Sequence, residues 1–523
     1  MNGAVTINVA GWRRGYWFLL AATLLSVALA DGLFYGHPVG LSAGLFTFFV
    51  LALLIVRGGA FLRSWPGRVV LLAAGGLVAA LVEEPTLLAV MMAALAVAML
   101  AVLNRNPWPG GTGQWTLRLA ESIGFALVRV ITDNRIAVRW MRRHPLSTAG
   151  PARLAVTWAL PLAMGAVFVL LFRAANPVIA RLVGSALSWL GDVLSNFKAV
   201  FDLPRNVLWL CVAAAVYALL RVRRGRPRRR ATVDAAAPQW DFPNAGDAVR
   251  PATYTLAPRA VSATGIVVRC LLVFNALFAV QTLMDGAYLL GGAALPQGMT
   301  HAEYAHRGAY PLVATALLAA VFVLVAFRPG GAAERSTPAR RLVYVWVAQN
   351  VFLTVTAAWR LDLYVGVYSL TRLRVAAGVW MLLVAAGLVW IGCRIVFRRG
   401  NAWLLNANVL TTLAVLYACC FVNFDRLIAD YNVAHCRESG GGGVSIDLDY
   451  LHGLGPDALP ALRRVTPMLK DTGRRRAAEA CSVALKSELR AQLADWRGWT
   501  LRRWRTWNAV AGWTEFPVLA SGK

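Results

Sequence analysis

Acidic residues, and charged residues in general, are scarce in this sequence. Asp and Glu together number 25 against 53 Lys and Arg in 523 residues, and only 15% of the chain is charged while 58% is hydrophobic. A mean hydropathy of +0.57 is too high for a water-soluble protein of this length. The shortage of charge therefore excludes an ordinary soluble protein and indicates a membrane protein.

Lysine is also rare, and almost all of the positive charge comes from arginine. A net charge of +28 in a soluble protein would suggest nucleic acid binding, since neutralising phosphates needs clustered Lys and Arg. Here the positive residues lie mostly between hydrophobic runs, where positively charged cytoplasmic loops explain them. We expect no nucleic acid partner.

Catalytic and metal-binding signatures are missing as well. The sequence has no G-x-S-x-G, no Walker loop, no H-E-x-x-H and no C-x-x-C, which excludes the common enzymes and zinc sites that use them. His301, Glu303 and His306 suggest metal binding, but on a helix the two histidines face different ways and Glu303 can pair with Arg307. We expect no metal and no cofactor, leave catalytic residues unassigned, and lean against an enzyme.

What the sequence has instead is a series of apolar runs of about 20 residues, each long enough to cross about 30 Å of hydrocarbon as a helix. The first contains Ala28-Leu29-Ala30, which resembles a signal-peptidase site, although the length of the run favours an uncleaved helix. The runs predict an all-α, polytopic helical membrane protein with about 11 transmembrane helices and a small helical periplasmic C-terminal domain. They lie at 16–35, 38–56, 68–82, 86–103, 154–173, 204–222, 266–290, 311–327, 342–361, 373–397 and 402–422.

Arginine-rich connections indicate the orientation, because cytoplasmic loops of membrane proteins carry an excess of positive residues. The stretch RVRRGRPRRR at 221–230 is the strongest signal, and 57–68, 328–341 and 394–399 fall on the same side when the runs are counted. This arrangement predicts a bacterial inner-membrane protein with a cytoplasmic N-terminus and a periplasmic C-terminus.

Composition divides the chain into four regions. Residues 1–224 form an N-terminal membrane region of about six transmembrane helices, with two further helices expected on the membrane surface at 115–142 and 178–200. Residues 225–262 are polar and rich in Pro and Ala, so we expect a flexible cytoplasmic loop. Residues 263–423 contain about five transmembrane helices, and 424–523 form a periplasmic helical tail.

The tail carries two further patterns. Tryptophans and arginines alternate at 496–513, which can serve single-stranded nucleic acid but in the periplasm favours an interfacial helix against lipid headgroups. Cys436 and Cys481 are the only cysteines in the tail, and in an oxidising compartment we expect them to form a disulfide. Closing that loop would contribute about 4 kcal/mol in the chain-entropy model.

In the second half of the chain, polar residues occur at two depths of the predicted membrane, inside the apolar runs and at their periplasmic ends. Asn275, Gln281, Gln349 and Asn350 lie inside apolar runs, where hydrogen bonding between helices is the simpler reading of amides. Charged and polar residues at the periplasmic ends are expected to converge, either as structural ion pairs or as a site for an anionic headgroup or solute. These are Asp285, Glu303, His306, Arg307, Arg360, Asp362, Arg372, Arg374, Asn423, Asp425 and Arg426.

Several stretches resemble a known family. They read QTLMDGAYLLGGAALPQGMTHAEYAHRGAYPLV at 281–313, YVGVYSLTRLRVAA at 364–377 and YLHGLGPDALPAL at 450–462. With Asn423, they are similar to bacterial membrane proteins catalogued as domain of unknown function 4173, close to 4153. The resemblance covers roughly 265–465, and Ser369 stands where the family's Tyr-Gly-Leu-Thr pattern has glycine. It implies fold and location, and it carries over no catalytic residue.

Four functional classes follow. The first is an inner-membrane protein with a polar site facing the periplasm, and the second is a transporter or channel for a small solute. The others are a membrane-embedded enzyme acting on lipid or envelope precursors, and a scaffold that binds an envelope protein through its periplasmic tail. Membrane lipids are the partner common to all four.

Overall fold

The structure is a computed structural model, and it describes residues 9–106, 108, 110–122, 184–185, 188, 203–221, 263–287, 321–322, 327 and 336–512. Every regular element within these residues is a helix, and none of them forms a strand. The all-helical prediction is therefore confirmed for the part of the chain that the structure describes.

Nine long apolar helices account for most of the described residues before position 420. They are α1 (Val9–Phe34), α2 (Leu41–Arg57), α3 (Trp65–Glu83), α4 (Leu87–Leu103), α5 (Leu203–Leu220), α6 (Ala263–Asp285), α7 (Thr337–Tyr368), α8 (Arg372–Val396) and α9 (Asn401–Cys419).

By length and composition, seven helices within the described ranges are able to cross a membrane, and α2 and α4 are shorter apolar helices. The predicted helix at 154–173 and most of that at 311–327 lie outside the described residues. The structure supports a membrane protein, and the predicted number of about 11 crossings is not confirmed.

The described residues pack as two compact units. The first comprises those within 1–78, 93–108 and 116–224, and here α1 packs on α2 and α5. Asp31 on α1 accepts two hydrogen bonds from the Arg205 guanidinium, at 2.7 and 2.6 Å, and a third from Trp209 Nε1 at 2.9 Å. The contact between α1 and α5 thus includes an ion pair whose carboxylate is fully engaged in hydrogen bonds. A charge between apolar helices needs such partners.

The second unit comprises the described residues within 79–92, 109–115 and 225–523. In its membrane part, α7 packs against α6 and α8, and α8 packs against α9. Trp346 is fully buried among residues of α6, α7, α8 and α9. Asn275 Nδ2 donates to Leu342 O at 3.0 Å and Gln349 Nε2 donates to Asn275 O at 3.2 Å, so these amides join α6 to α7.

After residue 420 the helices are shorter and surround a separate apolar core. They are α10 (Phe424–His435), α11 (Leu448–Gly453), α12 (Leu459–Val465), α13 (Thr472–Ala494) and α14 (Leu501–Val510). Ile428, Leu451, Leu462, Leu485 and Val510 are buried in one cluster, to which each of these helices contributes.

Polar side chains begin these helices, because an oxygen at the N-cap satisfies backbone N–H groups that have no partner within the helix. Asn423, Asp447, Asp471 and Thr500 each accept from a backbone N–H of the first turn. Short polar residues between apolar segments therefore define where the C-terminal helices start.

Other predicted segments have little or no counterpart in the described residues. Residues 112–122 are helical, while the rest of the predicted surface helix at 115–142 lies outside them. The same holds for nearly all of 178–200 and for the loop 225–262.

Candidate functional site

Helix α7 is longer than a membrane crossing requires. Its 32 residues extend about 48 Å at about 1.5 Å per residue, against about 30 Å of hydrocarbon. Its last turns carry Arg360, Asp362, Tyr364 and Tyr368, residue types common at membrane surfaces. We call residues 360–374, which include the end of α7, the turn and the start of α8, the corner.

Hydrogen bonds tie the corner to the C-terminal helices. Asn432, buried on α10, accepts from Leu370 N at 2.6 Å and donates to Leu370 O at 2.9 Å. Val444 N donates to Val367 O at 3.1 Å. The turn after α7 is therefore held by two segments that come much later in the chain, α10 and the segment around Val444.

The turn itself has an unusual backbone. Ser369 has a φ of 70°, in the left-handed region that favours glycine. The Arg374 guanidinium donates to the carbonyl oxygens of Tyr368, at 2.7 Å, and of Ser369. Arg374 thus stabilises the turn by donating hydrogen bonds to its carbonyl oxygens. The same guanidinium lies over the Tyr364 ring.

Arg372 and Asp425, two residues of the predicted site, form an ion pair with 2.6 Å between Nε and Oδ1. The backbone N of Arg372 donates to the Tyr450 hydroxyl at 2.9 Å. Asn423, another predicted residue, accepts from Arg426 N at 3.0 Å and so caps α10. The ion pair and the Tyr450 hydrogen bond join the start of α8 to the C-terminal helices, while Asn423 acts within its own helix.

The remaining residues of the predicted site differ in position and in burial. Arg360 is buried within α7, while Asp362 is exposed and lies within electrostatic range of Tyr431. Asp285 is the last residue of α6. Glu303, His306 and Arg307 lie outside the described residues, so the predicted convergence of the whole set stays a prediction.

A second polar cluster joins the connection between α3 and α4 to the C-terminal helices. Glu84 accepts from Thr500 Oγ1 and from Arg503 Nη2, both at 2.8 Å. Glu83 Oε1 lies 3.3 Å from Arg505 Nη1. We call the cluster of Glu83, Glu84, Thr500, Arg502, Arg503 and Arg505 the tip joint.

The tip joint combines the positive potential of a helix N-terminus with that of three arginines. Thr500 is the N-cap of α14, and the first turn of a helix attracts anions. Arg502 Nε lies 4.0 Å from Glu83 Oε1, with only 7% of the arginine side chain exposed. The Arg503 and Glu84 side chains are 17% and 18% exposed, so solvent screens this pair less than a surface pair.

Asp457 links the tip joint to the start of α10. Its carboxylate accepts from Thr506 Oγ1 at 3.3 Å and hydrogen bonds with the Asn423 side chain, and Arg502 is within electrostatic range. Burial raises the pKa of Asp457 above its usual value, and the nearby charge of Glu84 adds to this, while Arg502 and Asn423 oppose it. Next to the tip joint there is therefore a carboxyl that holds its proton more tightly than an exposed aspartate does.

Sequence reasoning missed the tip joint. The alternation of Trp and Arg at 496–513 predicted contact with lipid headgroups, which stays a prediction, and it did not indicate that Arg502, Arg503 and Arg505 pair with Glu83 and Glu84. The available signal was a pair of glutamates at the end of an apolar helix, in a chain where acidic residues are scarce. Trp496 and Trp504 remain exposed.

Cys436 and Cys481 are free thiols in the structure. Both belong to the apolar cluster of the C-terminal helices, with Cys436 buried. Burial raises the pKa of Cys481, which lowers its thiolate fraction. The disulfide is not formed here and stays a prediction. Among the described residues, no three His, Cys, Asp or Glu are grouped as metal ligands.

The fold and these clusters define a class: a polytopic helical membrane protein with an additional helical C-terminal domain. Residues 67–465 match the family model described as Domain of unknown function (DUF4153). The chain belongs to this family. No curated protein and no solved structure matches the chain.

The match corrects the resemblance drawn from the sequence. The family found is 4153 and not 4173, and the match begins at 67, whereas the resemblance was limited to 265–465. Uniform apolar helices such as α3 and α4 have few distinctive residues, so only the polar stretches of the second half had been recognised. The polar 450–462 stretch lies inside the matched range.

Proposed function

We propose that the chain is a multi-pass protein of the bacterial inner membrane that presents its C-terminal helical domain in the periplasm. In this proposal it is a non-catalytic member of an envelope complex and binds a helix of a partner protein through α13. The exposed face of α13 is the observation that carries the proposal.

Small residues recur on that face with the alternating three- and four-residue spacing of a heptad pattern. In a domain outside the membrane, an exposed helix face is ordinarily polar. A heptad-spaced stripe of small side chains instead lets a second helix approach closely. The stripe consists of Ala477, Ala480, Ala484, Ser487, Ala491 and Ala494, all exposed.

The flank of the stripe indicates the chemistry of the partner helix. Arg476, Val483 and Arg490 follow one side of it at seven-residue intervals, and all three are exposed. Positions beside a heptad seam pair with opposite charges on the facing helix. The occupant we propose is therefore an amphipathic helix with acidic residues beside its own seam.

The tip joint supports both the orientation and the rigid attachment of this domain. Glu83 and Glu84 lie between two apolar helices and bind α14, so the connection between α3 and α4 and the tail belong on one side of the membrane. Counting arginine-rich loops gives the same side for both. The ion pairs thus support a shared side for the two segments, and the loop charges favour the periplasm as that side.

The described polar groups favour this proposal over transport or an anion site. Asn275, Gln349 and Asn350 donate to helix carbonyl oxygens, which supports a structural role for these amides at membrane depth. At the corner, Arg372 binds Asp425 and Arg374 binds backbone carbonyls. These two arginines therefore serve the packing of helices, which weakens the case that they recognise an anion.

Site-specific photo-crosslinking in intact cells tests the proposal. A photoreactive residue at Ala484 or Ala491 should give a discrete adduct with one other envelope protein, while the same residue at the exposed Ser445 should not. Ala484→Arg should abolish the adduct formed from Ala491. Ser445→Arg is the matched control and should preserve it.

Charge variants make the test specific. Arg476→Glu and Arg490→Glu should each reduce the adduct several-fold, because they would oppose an acidic flank. The proposal fails if Ser445 and Ala484 give the same adducts. It also fails if the adduct is a dimer of this chain, which would assign the stripe to self-association.

A further inference from the structure

Two tryptophans beside the tip joint carry large exposed side chains. Trp496 is 51% exposed and Trp504 is 45% exposed, although tryptophan is on average one of the more buried residues. A single exposed apolar side chain is ordinary. The feature that calls for explanation is that both indoles lie next to the contacts between the C-terminal helices and a connection between two apolar helices.

That connection, between α3 and α4, lies at the edge of the hydrocarbon. Helix α3 has 19 residues, which extend about 28 Å at about 1.5 Å per residue and so match about 30 Å of hydrocarbon. Glu83, its last residue, and the adjacent Glu84 carry charges that belong at the membrane surface. Leu87 begins α4 and is 77% exposed, as expected of a side chain that faces lipid.

Contacts of the tip joint limit the distance between Trp504 and this edge. Thr500 Oγ1 donates to Glu84 Oε2 at 2.8 Å, and Trp504 follows Thr500 by about one helical turn. Four residues of a helix rise about 6 Å, and the headgroup layer on each side of the hydrocarbon is about 5–7 Å thick. Measured along α14, the Trp504 backbone is therefore about one headgroup layer from Glu84.

Trp496 is held near the same connection. It begins the short turn Trp496–Gly498, which precedes α14. Arg503 Nη1 donates to Gly498 O at 2.6 Å, and Arg503 Nη2 donates to Glu84 Oε1 at 2.8 Å. One guanidinium group thus joins this turn to the connection. Both exposed indoles are therefore close to the level at which α3 ends.

We infer that Trp496 and Trp504 bind the layer of lipid headgroups around the connection between α3 and α4. Indole favours this layer because it combines a large apolar ring with an N–H donor. Arg505, which follows Trp504, pairs with Glu83 while 60% of its side chain stays exposed, and arginine suits a surface of phosphate groups. The partner is the phospholipid surface on whichever side α14 lies, so the inference does not rest on the proposed function.

Photo-crosslinking of the purified full-length protein in vesicles of phosphatidylethanolamine and phosphatidylglycerol tests the inference. A photoreactive phenylalanine analogue at Trp504 or at Trp496 should increase the mass of the protein by one phospholipid, which intact mass spectrometry detects. The same residue at Ser487, exposed on α13, is the control and should give a yield several-fold lower. The inference is overturned if neither tryptophan position gives more lipid adduct than Ser487.

The native side chain allows a second measurement, which does not require the photoreactive residue to be tolerated. Lipids with bromine near the headgroup should quench the fluorescence of the wild type more than that of Trp504→Phe, which removes one indole and keeps an aromatic ring. Trp380→Phe is the matched control, because Trp380 is 57% exposed within the apolar helix α8 and should be quenched mainly by bromine near the chain end. Equal quenching of the wild type and Trp504→Phe by the headgroup-side bromine would contradict the inference.

Crosslinking in intact cells separates lipid from protein as the occupant. The photoreactive residue at Trp504 should again give the lipid adduct. A discrete adduct with another protein in its place would overturn the inference and assign this face to a protein partner. The proposed function is tested at Ala484 and Ala491, so either proposal can fail without the other.

Discussion

At the scale of single residues, the corner contains one backbone angle that is costly for any residue except glycine. Ser369 occupies a left-handed conformation, and the sequence resemblance has glycine at this position. Glycine adopts such angles without a steric cost, whereas other residues pay about 1–3 kcal/mol for sparsely populated backbone regions. The departure from the pattern is therefore a local strain that the surrounding hydrogen bonds sustain.

Ser369→Gly should stabilise the protein by about 1 kcal/mol, because relief of strain exceeds the extra entropy of glycine in the unfolded chain. The free energy of unfolding in detergent measures the change. Ser369→Ala removes the hydroxyl and keeps the Cβ, so it should give no stabilisation. If Ala and Gly stabilise equally, the backbone angle is not the cause.

At the scale of elements, the tip joint explains why α14 lies where it does. Its N-cap residue, its dipole and its arginines all face two glutamates of a distant helical connection. Each contact is an ordinary helix-terminus interaction, but together they anchor the last helix of the C-terminal core. The tail is thus attached at both the corner and the tip joint.

Glu84→Gln should lower the free energy of unfolding by about 1.5–3 kcal/mol, the range for hydrogen bonds to charged groups. Glu488→Gln, an exposed carboxylate on α13, is the matched control and should change stability by less than about 0.5 kcal/mol.

A double-mutant cycle with Arg503→Gln isolates the pair. The double variant should be less destabilised than the sum of the single variants, because either substitution alone already breaks the interaction. Strict additivity, or a Glu84→Gln effect no larger than that of Glu488→Gln, would contradict the tip joint.

At the scale of the whole molecule, orientation is the property on which the proposed function depends. An envelope partner can reach α13 only if the tail is periplasmic, and the arginine-rich loops can all be cytoplasmic only in that arrangement. The predicted N-terminus is then cytoplasmic.

Reporter fusions test this directly. A reporter active in the periplasm should be inactive after residue 230 and active after residue 440, and a reporter active in the cytoplasm should behave the opposite way. Periplasmic activity at 230 would reverse the topology and remove the basis for an envelope partner.

Local properties of the sequence predicted much of the fold. Apolar runs marked the described long helices closely, since hydrophobicity over about 20 residues is enough to specify a helix in lipid. Asn423, Asp447 and Thr500 similarly mark helix starts, because an N-cap acts on its own neighbours. The amides Asn275 and Gln349 join helices as expected, although their partners were not predictable.

Sequence alone thus determined the class of protein, the position of the long apolar helices that the structure describes, and the membrane as their surroundings. Only the tertiary structure decided which charges meet. Arg503 binds Glu84 across 419 positions, Arg372 binds Asp425 and not a residue of its own helix, and Arg57 lies near Arg105 and Arg221. Hydropathy and capping depend on adjacent residues, whereas the partner of a charge depends on how distant helices pack, and no local pattern records that packing.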